Sequence, residues 1–150
     1  MAFAHLHVHT QYSLLQGAIH IDSLFERVVA HGMSAVAMTD THNLFGAIDF
    51  YQAAKKAGVK PIIGCEIFFA PFGRNVMQKP LGQPGQSSAL RVHHLVLLCK
   101  NLQGYQNLCQ MVSRSYIEAP APQKGQPIGP KAVVDRELLS EYGDGLIVLS

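Results

Sequence analysis

Apolar and imidazole side chains alternate at the start of the chain, in Ala4-His5-Leu6-His7-Val8-His9. A period of two is the signature of an extended strand, and it predicts a first strand over Phe3–Val8 with His5, His7 and His9 on one face. Ser23-Leu24-Phe25-Glu26 has the form of a capping box and predicts a helix from Ser23 to about His31, stopped by Gly32. Ala35-Val36-Ala37-Met38-Thr39 reads as a buried second strand. Ile48, Tyr51 and Ala54 or Lys55 stand at helical spacing in a second helix over Gly46–Ala57, ended by Gly58. Pro61–Gly64 and Glu66–Ala70 form a third strand, and His94–Cys99 a fourth. Asn101 caps a third helix reaching Ile117, Asp135–Tyr142 is a short helix, and Leu146–Leu149 is a last strand. Pro71–Arg91 and Ala119–Lys131 are rich in Gly, Pro, Gln and Ser and read as loops, the first longer than a compact domain carries without a function.

Strands and helices alternate, which argues for a single α/β domain over residues 1–150 with a largely parallel sheet. In such folds the chemistry collects at the carboxyl ends of the strands. The chain stops on the apolar run Leu146-Ile147-Val148-Leu149, which suggests a piece of a longer protein that alone would be poorly stable or self-associating.

Composition narrows the function classes. A net charge of +2 announces no nucleic-acid-binding patch on this segment. Cys65, Cys99 and Cys109 form no CxxC pair and no even framework, as expected of reduced thiols in a cytoplasmic protein. No run approaches the length of a membrane span, and no signal peptide is evident. There is no GxSxG, no GxxxxGK[ST] and no cysteine with a histidine partner in sequence.

The candidate chemistry is therefore metal binding. Imidazole is the commonest metal ligand, and His7 and His9 are the strongest pair, set against a plain histidine cluster on a strand. Glu66 lies in an apolar setting, where a carboxylate is costly unless it is paired or coordinated; the alternative is a glutamate pointing out from a strand edge. Asp40 could ligate metal, but capping the turn and the next helix is the preferred reading. His42 is a candidate ligand against the slightly preferred reading of a turn histidine. Of His93 and His94, only one can face inward. His20 and His31 read as structural or solvated, His31 suiting the C-terminal end of a helix dipole. Two or three divalent ions bridged by His, Asp and Glu would suit phosphoester hydrolysis.

The stretch His5-Leu6-His7-Val8-His9-Thr10-Gln11-Tyr12-Ser13-Leu14-Leu15-Gln16-Gly17 resembles the opening motif of the polymerase and histidinol phosphatase (PHP) domain family, in the version found at the amino terminus of bacterial replicative DNA polymerase III alpha subunits. Further matching stretches are Ala37–Asp40 with Asn43–Ala47, Gly58–Glu66, His94–Asn101, Gly104–Leu108 and Asp144–Ser150, so the resemblance runs in order along nearly the whole chain outside the two loops. It implies a distorted barrel of seven strands and helices, a (β/α)7 barrel, of which this chain holds the first half to two-thirds. It implies metal ligands at His7, His9, Glu66 and His94, and a divalent ion such as Zn, Mn or Mg. His5 falls where related phosphatases often carry an aspartate and is not assigned to the metal.

Two positions depart from the family pattern. Gln16 stands where the family usually has an aspartate before the glycine. Thr41 stands at the histidine of Thr-Asp-His-Gly-Asn, with His42 shifted by one. Further family ligands would lie beyond Ser150. The resemblance thus implies a parent protein that copies DNA, and a segment acting as a support and docking surface for a proofreading subunit, with a degraded metal site. The alternative is a metal-dependent 3′–5′ exonuclease or phosphoesterase with His42 as a further ligand. A free-standing phosphoesterase is a third reading.

Overall fold

A computed structural model describes residues 3–74, 92–119 and 132–149. Most of the two loops predicted from sequence therefore lies outside the described residues. The elements are α1 (Ile21–Ala30), β1 (Ala35–Met38), α2 (Ala47–Ala57), β2 (Lys60–Ala70), β3 (His93–Cys99), α3 (Leu102–Ile117), β4 (Val134–Asp135), α4 (Arg136–Tyr142) and β5 (Leu146–Leu149). The α/β character and most boundaries match the sequence pattern.

Four expectations need correcting. The sheet is mixed: its order is β1-β2-β3-β5, with β4 paired to the far end of β2. β2 is parallel to β1 but antiparallel to β3, and β3 is antiparallel to β5. A parallel neighbour needs a crossover connection, usually a helix, and the sequence between β2 and β3 carries no helical pattern.

Residues 3–9 do not form a regular strand. They run beside β1, where the Ala37 amide donates to the His5 carbonyl (2.8 Å) and the Thr39 amide to the Val8 carbonyl (2.9 Å). Three residues on this segment thus match two on β1, and the extra residue, marked by a bend at Leu6, breaks the alternation. Val8 is buried while Leu6 is exposed; His7 and His9 meet each other, whereas His5 packs edge-on against Phe3.

The capping box is not used. α1 already starts at Ile21, with the Leu24 amide bonded to the His20 carbonyl and no side-chain cap. The stripe Ile21, Leu24, Phe25, Val28 is buried, and burying Ile21 brings the helix start forward.

α2 also turns a different face inward. Ala47, Phe50 and Ala54 are buried, whereas Ile48 and Tyr51 are exposed. Three buried clusters result. Val8, α1, β1 and α2 share one; β2, β3, α3, β4 and α4 share a second, and half-buried Leu44 packs against both; Ala37, Val96 and Leu98 form a small third. These cores hold the segment after β1, the middle of β2 and the start of β3 in fixed relation, and the candidate site lies where they meet.

Candidate metal centre

Asp40 organises the first side of the site. It is fully buried just past the end of β1. Its carboxylate accepts from the Thr10 amide, the Thr10 hydroxyl and the Ser13 hydroxyl, each at 2.6 Å. The Ser13 hydroxyl in turn accepts from the Thr41 amide (3.1 Å). Asp40 therefore neither ligates metal nor caps α2, whose N-cap is Gly46 with no side-chain bond. It pins the turn after His9 to the end of β1, as charge-assisted bonds to a buried carboxylate do.

The second side is β2. The Glu66 amide donates to the Asp40 carbonyl (3.1 Å), the His42 amide donates to the Glu66 carbonyl (2.7 Å), and Thr41 bridges to Glu66 as an isolated parallel pair. β3 supplies the third side. Glu66 lies opposite Val96 and Phe68 opposite His94, so His94 is the diagonal neighbour of Glu66 on the same sheet face.

The imidazoles converge on one carboxylate. His7 Nε2 lies 2.5 Å and His9 Nε2 3.2 Å from Glu66 Oε2, and the two Nε2 atoms are 3.0 Å apart. His94 Nδ1 contacts the other oxygen, Oε1. The Glu66 side chain is almost wholly buried, His9 is about a quarter exposed, and His7 and His94 are half exposed. Burial alone would push the Glu66 carboxyl up; hydrogen bonds with His94 and His7 and the charge of His9 outweigh it and hold the group below its usual value. Glu66 is therefore ionised at neutral pH.

His7, His9 and Glu66 are the one group of three metal-ligating side chains among the described residues whose donor atoms lie within 4.8 Å of one another. Two imidazole nitrogens and one carboxylate oxygen, open to solvent on one side, suit a divalent ion such as Zn or Mn that keeps open positions. These donors fit the ion. His94 joins through the second oxygen of Glu66 instead of standing among the three.

The structure does not bring the other candidates in. His5 packs edge-on against Phe3 and His93 is exposed. His42 is buried between β2 and α3, where its Nδ1 accepts from the Phe68 amide (3.2 Å) and its Nε2 meets the Ser115 hydroxyl (2.8 Å). Both ring nitrogens are engaged, so His42 does not replace a missing ligand. The sequence reading missed Ser115 and Tyr116 as partners of His42, Tyr116 donating to its carbonyl at 3.1 Å. It also missed that the two departures from the family pattern touch. The Thr41 hydroxyl donates to Gln16 Oε1 (2.5 Å) and lies 3.2 Å from His9 Nδ1. That both positions depart together was the available signal.

Comparison with known proteins gives the same family. The PHP domain matches residues 5–150. DNA polymerase III subunit alpha of Chlamydia muridarum is 40% identical over 150 residues, all of this chain and 11% of that protein. The subunit of the same name from Borreliella burgdorferi is 43% identical over 149 residues, covering 99% of this chain and 12% of its own length. The chain thus spans about a tenth of the length of the curated relatives it matches. An amidohydrolase from Chromobacterium violaceum superposes with a TM-score of 0.53 at 20% identity, covering 77% of this chain and 34% of the other, a likeness of fold alone. A PHP match across residues 5–150, with three potential ligands drawn from its opening motif and β2, places this chain in the PHP domain family.

Proposed function

We propose that the chain is the N-terminal PHP segment of a bacterial replicative DNA polymerase III alpha subunit. In the parent, which copies DNA in the cytoplasm, it serves as a scaffold and docking module around one divalent cation. The identity of about 40% over the whole chain supports the parent; its partners would be DNA and other replisome subunits, the proofreading subunit among them. The observation that carries the scaffold reading is the hydroxyl–amide pair of Thr41 and Gln16 behind His9.

Hydrolysis by paired metals needs charged groups to bridge and balance them. Beside His9 this chain offers an amide and a hydroxyl, and Glu66 is the one carboxylate of the ligand group. His7, His9 and Glu66 would hold one ion, with His94 orienting Glu66 through its second oxygen. A bound divalent ion supplies Lewis acidity and lowers the pKa of a coordinated water. The buried Asp40 network keeps the His9 turn against β1.

A second reading, a metal-dependent exonuclease or phosphoesterase, draws support from the half-exposed His7, which leaves the group open to a substrate. Hydrolysis of 3′-ended DNA by the full-length parent, with Zn2+ or Mn2+, separates the two. The scaffold reading expects background hydrolysis in both the wild type and the His7→Ala/His9→Ala variant, with polymerisation intact. Metal-dependent hydrolysis that disappears in the variant would establish the second reading instead.

A further inference from the structure

We propose that Thr41, backed by Gln16, is the positioning residue that sets the tautomer of His9 and, through it, the affinity of the His7–His9–Glu66 group for a divalent cation. The inference rests on the one-cation reading above and assigns a role to residues that the family pattern treats as losses.

The atoms able to donate determine where the proton of His9 lies. Gln16 Oε1 is an acceptor only, and Thr41 Oγ1 lies 2.5 Å from it, so the single hydroxyl proton of Thr41 points at Gln16. With that proton committed, Thr41 Oγ1 can meet His9 Nδ1 at 3.2 Å only as an acceptor. The proton of neutral His9 is then on Nδ1, and Nε2 carries the bare lone pair. Nε2 is the atom that faces His7 Nε2 at 3.0 Å and Glu66 Oε2 at 3.2 Å. The relay therefore turns the donor lone pair of His9 into the ligand group. Oxygen partners on the far nitrogen of a metal-binding histidine fix its ring and tautomer in this way.

The hydroxyl is itself held in place. The Thr41 amide is bonded to Ser13 Oγ, which is anchored on Asp40, and Thr41 pairs with Glu66 on β2. Thr41 is half-buried, whereas Gln16 is exposed. Water can replace an exposed acceptor at little cost, so Thr41 carries the larger share and Gln16 tunes it. The pair adds no charge: it orients His9 for one cation without supplying the carboxylate that a second would need.

The test is Zn2+ binding by the full-length parent, measured as affinity and stoichiometry by competition with a chelating dye. Thr41→Val keeps the shape and removes the hydroxyl; it should weaken Zn2+ binding by about 10–100-fold. Thr41→Ser should restore binding to within a few-fold of wild type. Gln16→Leu should cost less than Thr41→Val, and its effect should vanish in the Thr41→Val background. The metal-free melting temperature of each variant should stay near that of wild type, which separates positioning from a general loss of structure. Equal Zn2+ affinity in wild type and Thr41→Val overturns the inference and leaves the one-cation reading standing. Failure of Thr41→Ser to restore binding also overturns the inference. Absence of Zn2+ binding in the wild type overturns both.

Discussion

His42 shows how one residue can leave a metal site and become part of the packing. Its φ of +54° is left-handed, a conformation that the glycine of the family motif would adopt without strain. Stacking on Phe68 and an edge contact with Tyr116 help hold it there. Its Nδ1 accepts from the Phe68 amide, so Nε2 bears the proton and donates to Ser115 Oγ, which itself donates to the Val112 carbonyl (2.6 Å). The arrangement requires a neutral ring, and burial lowers the pKa from 6.5 to about 4. An unfolded chain takes up this proton near pH 6.5 and the folded one only near 4, so between these values the unfolded state holds more protons. The stability that neutral His42 contributes is complete above pH 6.5 and is lost as the pH falls towards 4, a change of about 3 kcal/mol at most. Urea unfolding of the wild type and of His42→Asn, which tolerates the same backbone, should show a shallower pH dependence in the variant over that window. Equal slopes would contradict the assignment.

Elements were legible where local chemistry decided them. α3 begins where Asn101 suggests, because its side chain accepts from the Gly104 amide (2.9 Å), and α4 begins after Asp135 for the same reason. Gly32 and Gly58, both at positive φ, stop α1 and α2 as expected. What local pattern could not reveal were long-range choices. The inward face of α2 is Ala47, Phe50 and Ala54; two of the three are alanines, so Phe50 alone had to mark that face against Ile48 and Tyr51 in an apolar pattern. The extra residue beside β1 depends on a pairing partner some thirty positions away. At the site, His7, His9, Glu66 and His94 were legible as residue types; the mutual contact of Gln16 and Thr41 was not, since it depends on how two turns meet. One long-range contact gives a test at this scale. Gly104 lies in the first turn of α3 against the backbone carbonyl of Gly145, and an added Cβ would overlap that carbonyl. Alanine favours a helix by about 1 kcal/mol over glycine, yet Gly104→Ala should destabilise the chain by about 1–3 kcal/mol. A urea midpoint equal to or above that of wild type would show that the α3–β5 approach is looser than described.

At the scale of the molecule, the mixed sheet brings three separate stretches of chain to one place: the turn after His9, the middle of β2 and the start of β3. Asp40 fixes the first against β1 from inside the core, and the register of β2 with β3 places His94 beside Glu66. The ligand group is thus positioned by hydrogen bonds and strand register from three stretches of the fold. Among the described residues no helix is long and apolar enough to cross a membrane. Exposed Ile147 and Val148 on β5 and Ile48 and Tyr51 on α2 leave apolar surface on these two elements. On the proposed reading this scaffold retains one cation position, made of His7, His9 and Glu66, with a neutral pair where a second charged group would stand. The most direct measurement is the metal content of the full-length parent, equilibrated with Zn2+, dialysed and assayed by mass spectrometry beside its His7→Ala/His9→Ala variant. One Zn2+ lost with the two histidines is the expected result; loss of two or three ions with those histidines, or no ion bound in the wild type, would contradict it.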